Sequence, residues 1–216
     1  MPVLPLEGYR VLDLGWVLAG PIVGHVLADM GAEVIKIESR KRLDSSRQAR
    51  PLQGKEIPEG SRHEFVPLFH AVNRNKLSLA MDLTHPRALP IVKEIVRKSD
   101  VLVENFSPDV LPRLGLDYAS ISSFAPRLVM VSMAGAGQYG PLREIRTYAS
   151  TVTALAGMDS LMGYEGDRVI GTTGVSWADP NASLFAVHAI LTALWHREET
   201  GQGQHIDLAQ LETTAV

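Results

Sequence analysis

The stretch GVSWADPNAS, residues 174–183, sets one carboxylate, Asp179, directly before Pro180 at the threshold of an apolar segment. Asp as a helix cap, followed by Pro at the first helical position, is a favourable start that stabilises by about 1 kcal/mol over Ala. The same location favours the ionised carboxylate through the helix dipole. With an unperturbed pKa of about 3.9, that carboxylate is ready at neutral pH to act as a nucleophile. Spacing alone leaves cap and nucleophile both open.

Other patterns carry weaker chemistry. GAGQYG (135–140) matches G-x-G-x-x-G after a strand-like run, as a dinucleotide-binding turn should. It follows the fifth such run instead of the first, and Pro141 comes immediately after it. No acidic residue ends a clear strand about 20 residues later, so a glycine loop shaping a different pocket is the better reading. His25, His63, His70, His85, His188, His196 and His205 lack metal-ligand spacing, and no metal is expected. GVSWA departs from G-x-S-x-G at its last position, which leaves Ser176 a structural residue. Asn73 and Asn75 read as turn-formers. Asn105 and Phe106 stand where a strand ends and a ligand edge would lie, and Arg113 offers a phosphate-matching fork or a solvated surface charge.

These residues need elements to position them. Short runs at RVLDLG (10–15), EVIKIE (33–38), LSLAMDL (77–83), DVLVEN (100–105) and RLVMVSM (127–133) alternate with segments of helical period. Between the first two, Pro21 opens and Gly31 closes a helix; in the next unit Pro90 would kink the first turn. Residues 180–198 are helical in pattern, followed by the turn ETGQGQ and HIDLAQL. The alternation predicts an α/β fold, a Rossmann-like doubly wound parallel sheet with flanking helices, whose ligands bind at the carboxyl ends of the strands. Residues 39–64 are polar, basic and aperiodic, and read as a long solvated or partly mobile loop. The apolar, uncapped end LETTAV reads as an incomplete chain.

Composition narrows the field. The chain has 216 residues, 45% of them hydrophobic and 21% charged, enough to bury a real core. A net charge of −3 provides no field for nucleic acid, and the absence of cysteine excludes thiol chemistry and disulfides. No apolar run approaches the roughly 20 residues needed to cross a bilayer, and the first residues lack a secretory pattern. A cytoplasmic protein is expected.

Taken together, LEGYRVLDLGWVLAGPIVGHVLADMGAEVIKIES, NRNKLSLAMDL, DVLVENFSPDVLPRLGLDY, PRLVMVSMAGAGQYGP, GVSWADP and HREETGQGQHIDLAQLE resemble, in order and spacing, the class III (CaiB/BaiF-type) coenzyme A transferases. The resemblance spans essentially the whole chain. It implies that Asp179 carries the acyl group, forming a mixed anhydride with a donor acyl-CoA and then an aspartyl-CoA thioester that an acceptor acid resolves. It also implies that Val17 and Leu18 line the CoA path, that Met81, Asp82, Leu83 and Thr84 flank the adenosine, and that Asn105, Phe106 and Arg113 contact the nucleotide or its phosphates. Arg146 and Tyr148 then lie near the thioester end. CoA and acyl-CoA are substrates in this scheme, and no permanently bound cofactor is implied.

Two positions depart from the family pattern. Ser39, followed by Arg40, stands where a basic residue is usual, which shifts phosphate binding to Arg40, Lys41 or Arg42; Ala149 replaces an acidic residue after Tyr148. The related α-methylacyl-CoA racemases look for a His at the position of Tyr148, and a phenol with a pKa near 10 is a poor base for an α-proton. Family members are longer, with a small second domain largely absent here and chains interlocked as dimers. Residues 1–216 therefore read as the large CoA-binding domain, with 197–216 starting the connection onward. An interlocked homodimer or a complementary subunit is the implied partner, alongside the acyl-CoA and carboxylic acid substrates.

Overall fold

The computed structural model describes residues 3–51, 57–171, 174 and 177–216. Six parallel strands form one sheet: β1 (Arg10–Asp13), β2 (Glu33–Glu38), β3 (Lys76–Ala80), β4 (Val101–Glu104), β5 (Val129–Ala134) and β6 (His205–Ala209), in the order β3-β2-β1-β4-β5-β6. The helices are α1 (Ala19–Asp29), α2 (Pro67–Ala71), α3 (Ala88–Arg97), α4 (Val110–Leu114), α5 (Tyr118–Ser122), α6 (Ala149–Leu155), α7 (Ala178–Thr200) and α8 (Gln210–Ala215). This is the α/β doubly wound sheet that the alternation predicts.

The central strands are apolar almost without interruption because both of their faces are covered. Val11, Val34, Val101, Val103, Val129 and Val131 turn toward α1 and α7, meeting Val23, Leu27, Ile190 and Leu194. Leu12, Leu102 and Met130 turn the other way, toward Val92 and Val96 of α3, Leu111 of α4, Ile121 of α5, and Leu116. Period two along each strand thus sorts side chains into two cores.

Several boundaries differ from the sequence expectation. The run 77–83 leaves the sheet after Ala80, and HIDLA, unassigned from sequence, forms β6 beside β5. Polar His205 and Asp207 alternate there with half-buried Ile206 and buried Leu208, as suits an edge strand. Pro21 is the third residue of α1, and Pro90 the third of α3, where a missing N–H breaks no helical hydrogen bond. α7 begins at Ala178 with Trp177 at the cap position, so Asp179 lies inside the first turn and is not the cap.

The polar excursion is also anchored more firmly than its composition suggests. Asp44 and Ser46 are fully or almost fully buried, and Arg47 is buried as well. The Arg47 guanidinium donates from Nε to both Glu38 oxygens at 3.0 and 2.9 Å and from Nη1 to Glu64 at 3.0 Å, and lies 3.5 Å over the Phe69 ring. Paired buried charges, invisible to a periodicity search, hold this segment. Among the described residues, no helix is long and apolar enough to cross a membrane.

Candidate active site

The strand order reverses between β1 and β4, and ligands of open α/β sheets bind outside the strand ends at such a switch point. A cleft of about 540 Å³ opens there. Its walls come from the turn after β1 (Trp16, Val17), the turn after β4 (Asn105, Phe106), α4 (Arg113), the end of β5 (Met133 to Gly135), the 145–148 segment and the first turn of α7 (Asp179).

The β1 turn is unusual. Val17 has φ +63°, a left-handed conformation that is an outlier for a β-branched side chain. Each peptide before it is held by a side chain. Gly15 N–H donates to Asp13 at 2.7 Å, and Lys36 Nζ donates to the Gly15 carbonyl at 2.6 Å. Trp16 N–H donates to Asn105 Oδ1 at 2.7 Å while Asn105 Nδ2 donates to the Trp16 carbonyl at 2.9 Å. Val17 N–H donates to Asp44 at 3.1 Å. The next turn packs so closely that a Cβ on Gly20 would come within 2.9 Å of Asn105 Oδ1.

Trp16 and Phe106 meet edge to face with ring centroids 6.3 Å apart, and the Arg42 guanidinium lies 4.8 Å from the Trp16 centroid. Behind the Phe106 turn is Glu104, whose Oε2 accepts the Phe106 N–H at 2.8 Å. Burial pushes the Glu104 carboxyl up to about 7, although bonds from Ser132 and Phe106 favour its charged form. Ser132 Oγ is in turn 3.0 Å from His205 Nε2 on β6.

Asp179 is half-buried, and its carboxylate has no hydrogen-bond partner among the described residues. Burial pushes its pKa up to about 6, correcting the expectation that the helix end would leave it as acidic as a free aspartate. It stays mostly ionised at neutral pH. Besides this one carboxylate the cleft lining carries three guanidinium groups, those of Arg42, Arg113 and Arg146, a composition suited to a polyanionic ligand.

The structure therefore brings Asp179, Val17, Asn105, Phe106, Arg113, Arg146 and Tyr148 together in one cleft. Leu18 precedes α1 just beside the wall. Arg40 instead lines a neighbouring cleft of about 410 Å³ with Glu38, Arg47 and His63, and of the alternatives Arg40, Lys41 and Arg42 it is Arg42 that reaches the main cleft. Lys41 is held by Asp82 at 2.8 Å, and that pairing holds the Asp82 carboxyl well below the usual carboxylate range. Thr84 donates to Asp82, while Met81 and Leu83 pack on the core beyond the end of β3.

Asn73 and Asn75 do shape a turn: Asn75 has φ +62°, and Asn73 accepts from Lys76 Nζ at 2.9 Å. Ser176 lies outside the described residues. Among them, no cluster of three or more His, Asp or Glu side chains has the arrangement of a metal site. Sequence reasoning missed Trp16, Ser107, Thr147 and Gln210 as cleft residues. Trp16 adjoins Val17 in the run that carries the resemblance; Gln210 had no signal without knowledge of β6.

The family model described as CoA-transferase family III matches residues 6–216. The chain belongs to CoA-transferase family III. It is 40% identical over 208 residues to a succinate–glutarate CoA-transferase of Agrobacterium fabrum, covering 96% of this chain and 51% of that protein. To the alpha subunit of a succinyl-CoA–L-malate CoA-transferase from Chloroflexus aurantiacus it is 35% identical over 209 residues, covering 97% and 47%. A crystal structure of a CaiB/BaiF family protein from Brucella suis superposes with a TM-score of 0.89 at 36% identity, over 99% of this chain and 55% of that one. The family III chain thus spans about half the length of the curated relatives it matches.

Proposed function

We propose that this chain forms the large CoA-binding domain of an enzyme that moves CoA from an acyl-CoA to a free carboxylic acid, with Asp179 as nucleophile. The observation that carries the reading is Asp179 itself. It is the only carboxylate among the described lining residues, desolvated yet ionised near pH 7, in a cleft that also carries three guanidinium groups. Partial desolvation makes a carboxylate a better nucleophile than one in bulk water.

In the proposed sequence an Asp179 oxygen attacks the thioester carbonyl and the C–S bond breaks, giving a mixed anhydride and CoA thiolate. The thiolate attacks the aspartyl carbonyl, which forms an aspartyl-CoA thioester and releases the donor acid as carboxylate. An acceptor carboxylate attacks that thioester, expelling the thiolate and forming a second anhydride. The thiolate finally attacks the acceptor's acyl carbonyl, which yields the new acyl-CoA and restores the Asp179 carboxylate. No proton, electron or water is consumed.

In this reading Val17, Asn105 and Phe106 hold the CoA path, and Arg42 and Arg113 meet its phosphates. Arg146 and Tyr148 stand toward the thioester. Leu18, Arg40 and Met81 to Thr84 extend the path outward. Tyr148 is 72% exposed, and Trp177, Leu184 and Trp195 form an exposed stripe along α7. Such surface suits coverage by a second subunit or the further half that the longer relatives possess, and water exclusion during transfer requires such a cover.

The test is chemical trapping. Incubation with succinyl-CoA followed by hydroxylamine should leave a hydroxamate on Asp179, whereas glutarate added in place of hydroxylamine should discharge the aspartyl-CoA thioester as glutaryl-CoA. Washout of an α-proton into deuterated solvent with neither trapping nor transfer would overturn the reading in favour of a racemase.

A further inference from the structure

We propose that Asp44 is a positioning residue whose task is to lock Val17 in its left-handed conformation and so shape the cleft wall. The inference rests on the CoA reading for its consequence but on local geometry for its substance. Asp44 is fully buried, 27 residues away in sequence, at the inner end of the basic excursion. Its Oδ1 accepts from the Val17 N–H at 3.1 Å and from both the amide and the hydroxyl of Ser46, at 2.9 and 2.8 Å. Its own N–H donates to Glu38 Oε2 at 3.4 Å, on the carboxylate that Arg47 clamps.

A left-handed β-branched residue persists only where its surroundings over-determine it. Here the surroundings form a balanced set of charges beneath the turn. Lys36 Nζ lies between the Gly15 carbonyl at 2.6 Å and Asp44 Oδ2 at 3.6 Å. Lys76 Nζ bonds Asp13 Oδ2 at 2.7 Å and the Pro21 carbonyl at 2.8 Å. The side chains of all four are at most 4% exposed. Two ammonium groups and two carboxylates neutralise one another, and three of the four bond main-chain groups of residues 15–17, leaving little freedom to the peptides that end at Val17.

Asp44 differs from its three companions in one respect. Asp13, Lys36 and Lys76 are strand residues, held in place by the sheet. Asp44 belongs to a segment without regular pairing, so its placement depends on the Arg47–Glu38 clamp. The excursion thereby acts as a latch on the turn after β1.

The test is a double-mutant cycle on the full chain, using Asp44→Ala, Val17→Gly and the combination. Glycine adopts φ +63° without penalty, so the latch should matter only while a side chain is present at position 17. Asp44→Ala should weaken CoA binding about tenfold in the parent and less than about threefold in the Val17→Gly background. Without CoA, Asp44→Ala should also speed hydrogen exchange at the Val17 amide by at least about tenfold while amides of β4 and β5 keep their protection. Asp44→Asn, which keeps an acceptor, should recover part of both effects. Equal CoA losses in both backgrounds, or an unchanged Val17 exchange rate, would overturn the latch. If the parent chain fails to bind CoA, the functional reading falls, and the exchange result still decides the latch.

Discussion

Asn105 closes both sides of the Trp16 residue, accepting from its amide at 2.7 Å and donating to its carbonyl at 2.9 Å across 89 residues of sequence. Two strand ends at the switch point are thus joined by one carboxamide, the side chain that carries both a donor and an acceptor for this purpose. Asn105→Ala leaves both main-chain groups unpaired in a half-buried place. We expect a loss of about 2–3 kcal/mol in stability and roughly tenfold in CoA affinity. Asn105→Asp, which keeps the acceptor but not the donor, should fall between. Thermal unfolding and CoA titration check both.

Asp179→Asn should abolish CoA exchange while stabilising the fold. Burial raises the folded pKa to about 6 from an ordinary value of 3.8, so the charged form is the one that burial disfavours. The penalty is fully present above pH 6, shrinks as pH falls from there, and is gone below pH 3.8. Asp179→Asn should therefore gain about 1–2 kcal/mol at pH 7.5, less than full linkage because the group is partly exposed, and almost nothing near pH 4.

The same shift sets a pH profile for the reaction. In the proposed mechanism only the ionised carboxylate attacks, so exchange at saturating acyl-CoA should rise with pH on an apparent pKa near 6 and level off above pH 7. A profile flat from pH 5 to 8 would contradict attack by Asp179 as the step that limits the rate.

Arg113→Ala and Arg146→Ala should separate in kinetics. Arg113, on α4 at the outer wall, should raise the KM for acyl-CoA by about 10- to 30-fold with a smaller salt dependence than the parent, since a charge-assisted bond contributes about 1.5–3 kcal/mol. Arg146, two residues from Tyr148, should lower kcat more than it raises KM.

Glu104→Gln tests the support behind Phe106. Burial pushes this carboxyl up to about 7 from an ordinary value of 4.5, so its charge is disfavoured above neutrality. The substitution should stabilise the fold by about 2 kcal/mol at pH 8, read as a higher thermal midpoint, and have little effect near pH 4.5. The glutamine oxygen can still accept from Phe106.

Much of this was legible in the chain. Short apolar runs marked five strands, most clearly the central ones whose two faces are both buried, and the same runs placed Asn105 and Phe106 at a strand end. β6 stayed hidden because His205 and Asp207 interrupt an edge strand that ends on the buried pair Leu208 and Ala209. The buried role of Asp44 had no local signature. Its partners Val17, Lys36 and Glu38 lie 6 to 27 residues away, and charge in an aperiodic segment normally signals solvent. Asp179 was found, but its desolvation was not: the position of α7 against the cleft is a tertiary fact, and it outweighs the helix-end effect that sequence could supply.

The cations lining the cleft are all arginines, and the two buried lysines beneath it, Lys36 and Lys76, are turned into the protein as paired ammonium groups. A guanidinium keeps its proton at any physiological pH and has no lone pair free to attack a carbonyl. With no cysteine anywhere in the chain, an activated acyl group held as proposed would meet neither a free amine nor a thiol among the described lining residues. Amine and thiol side reactions are thereby kept out of the cleft, which in the proposed sequence leaves the Asp179 carboxylate to take up the acyl group and hand it on.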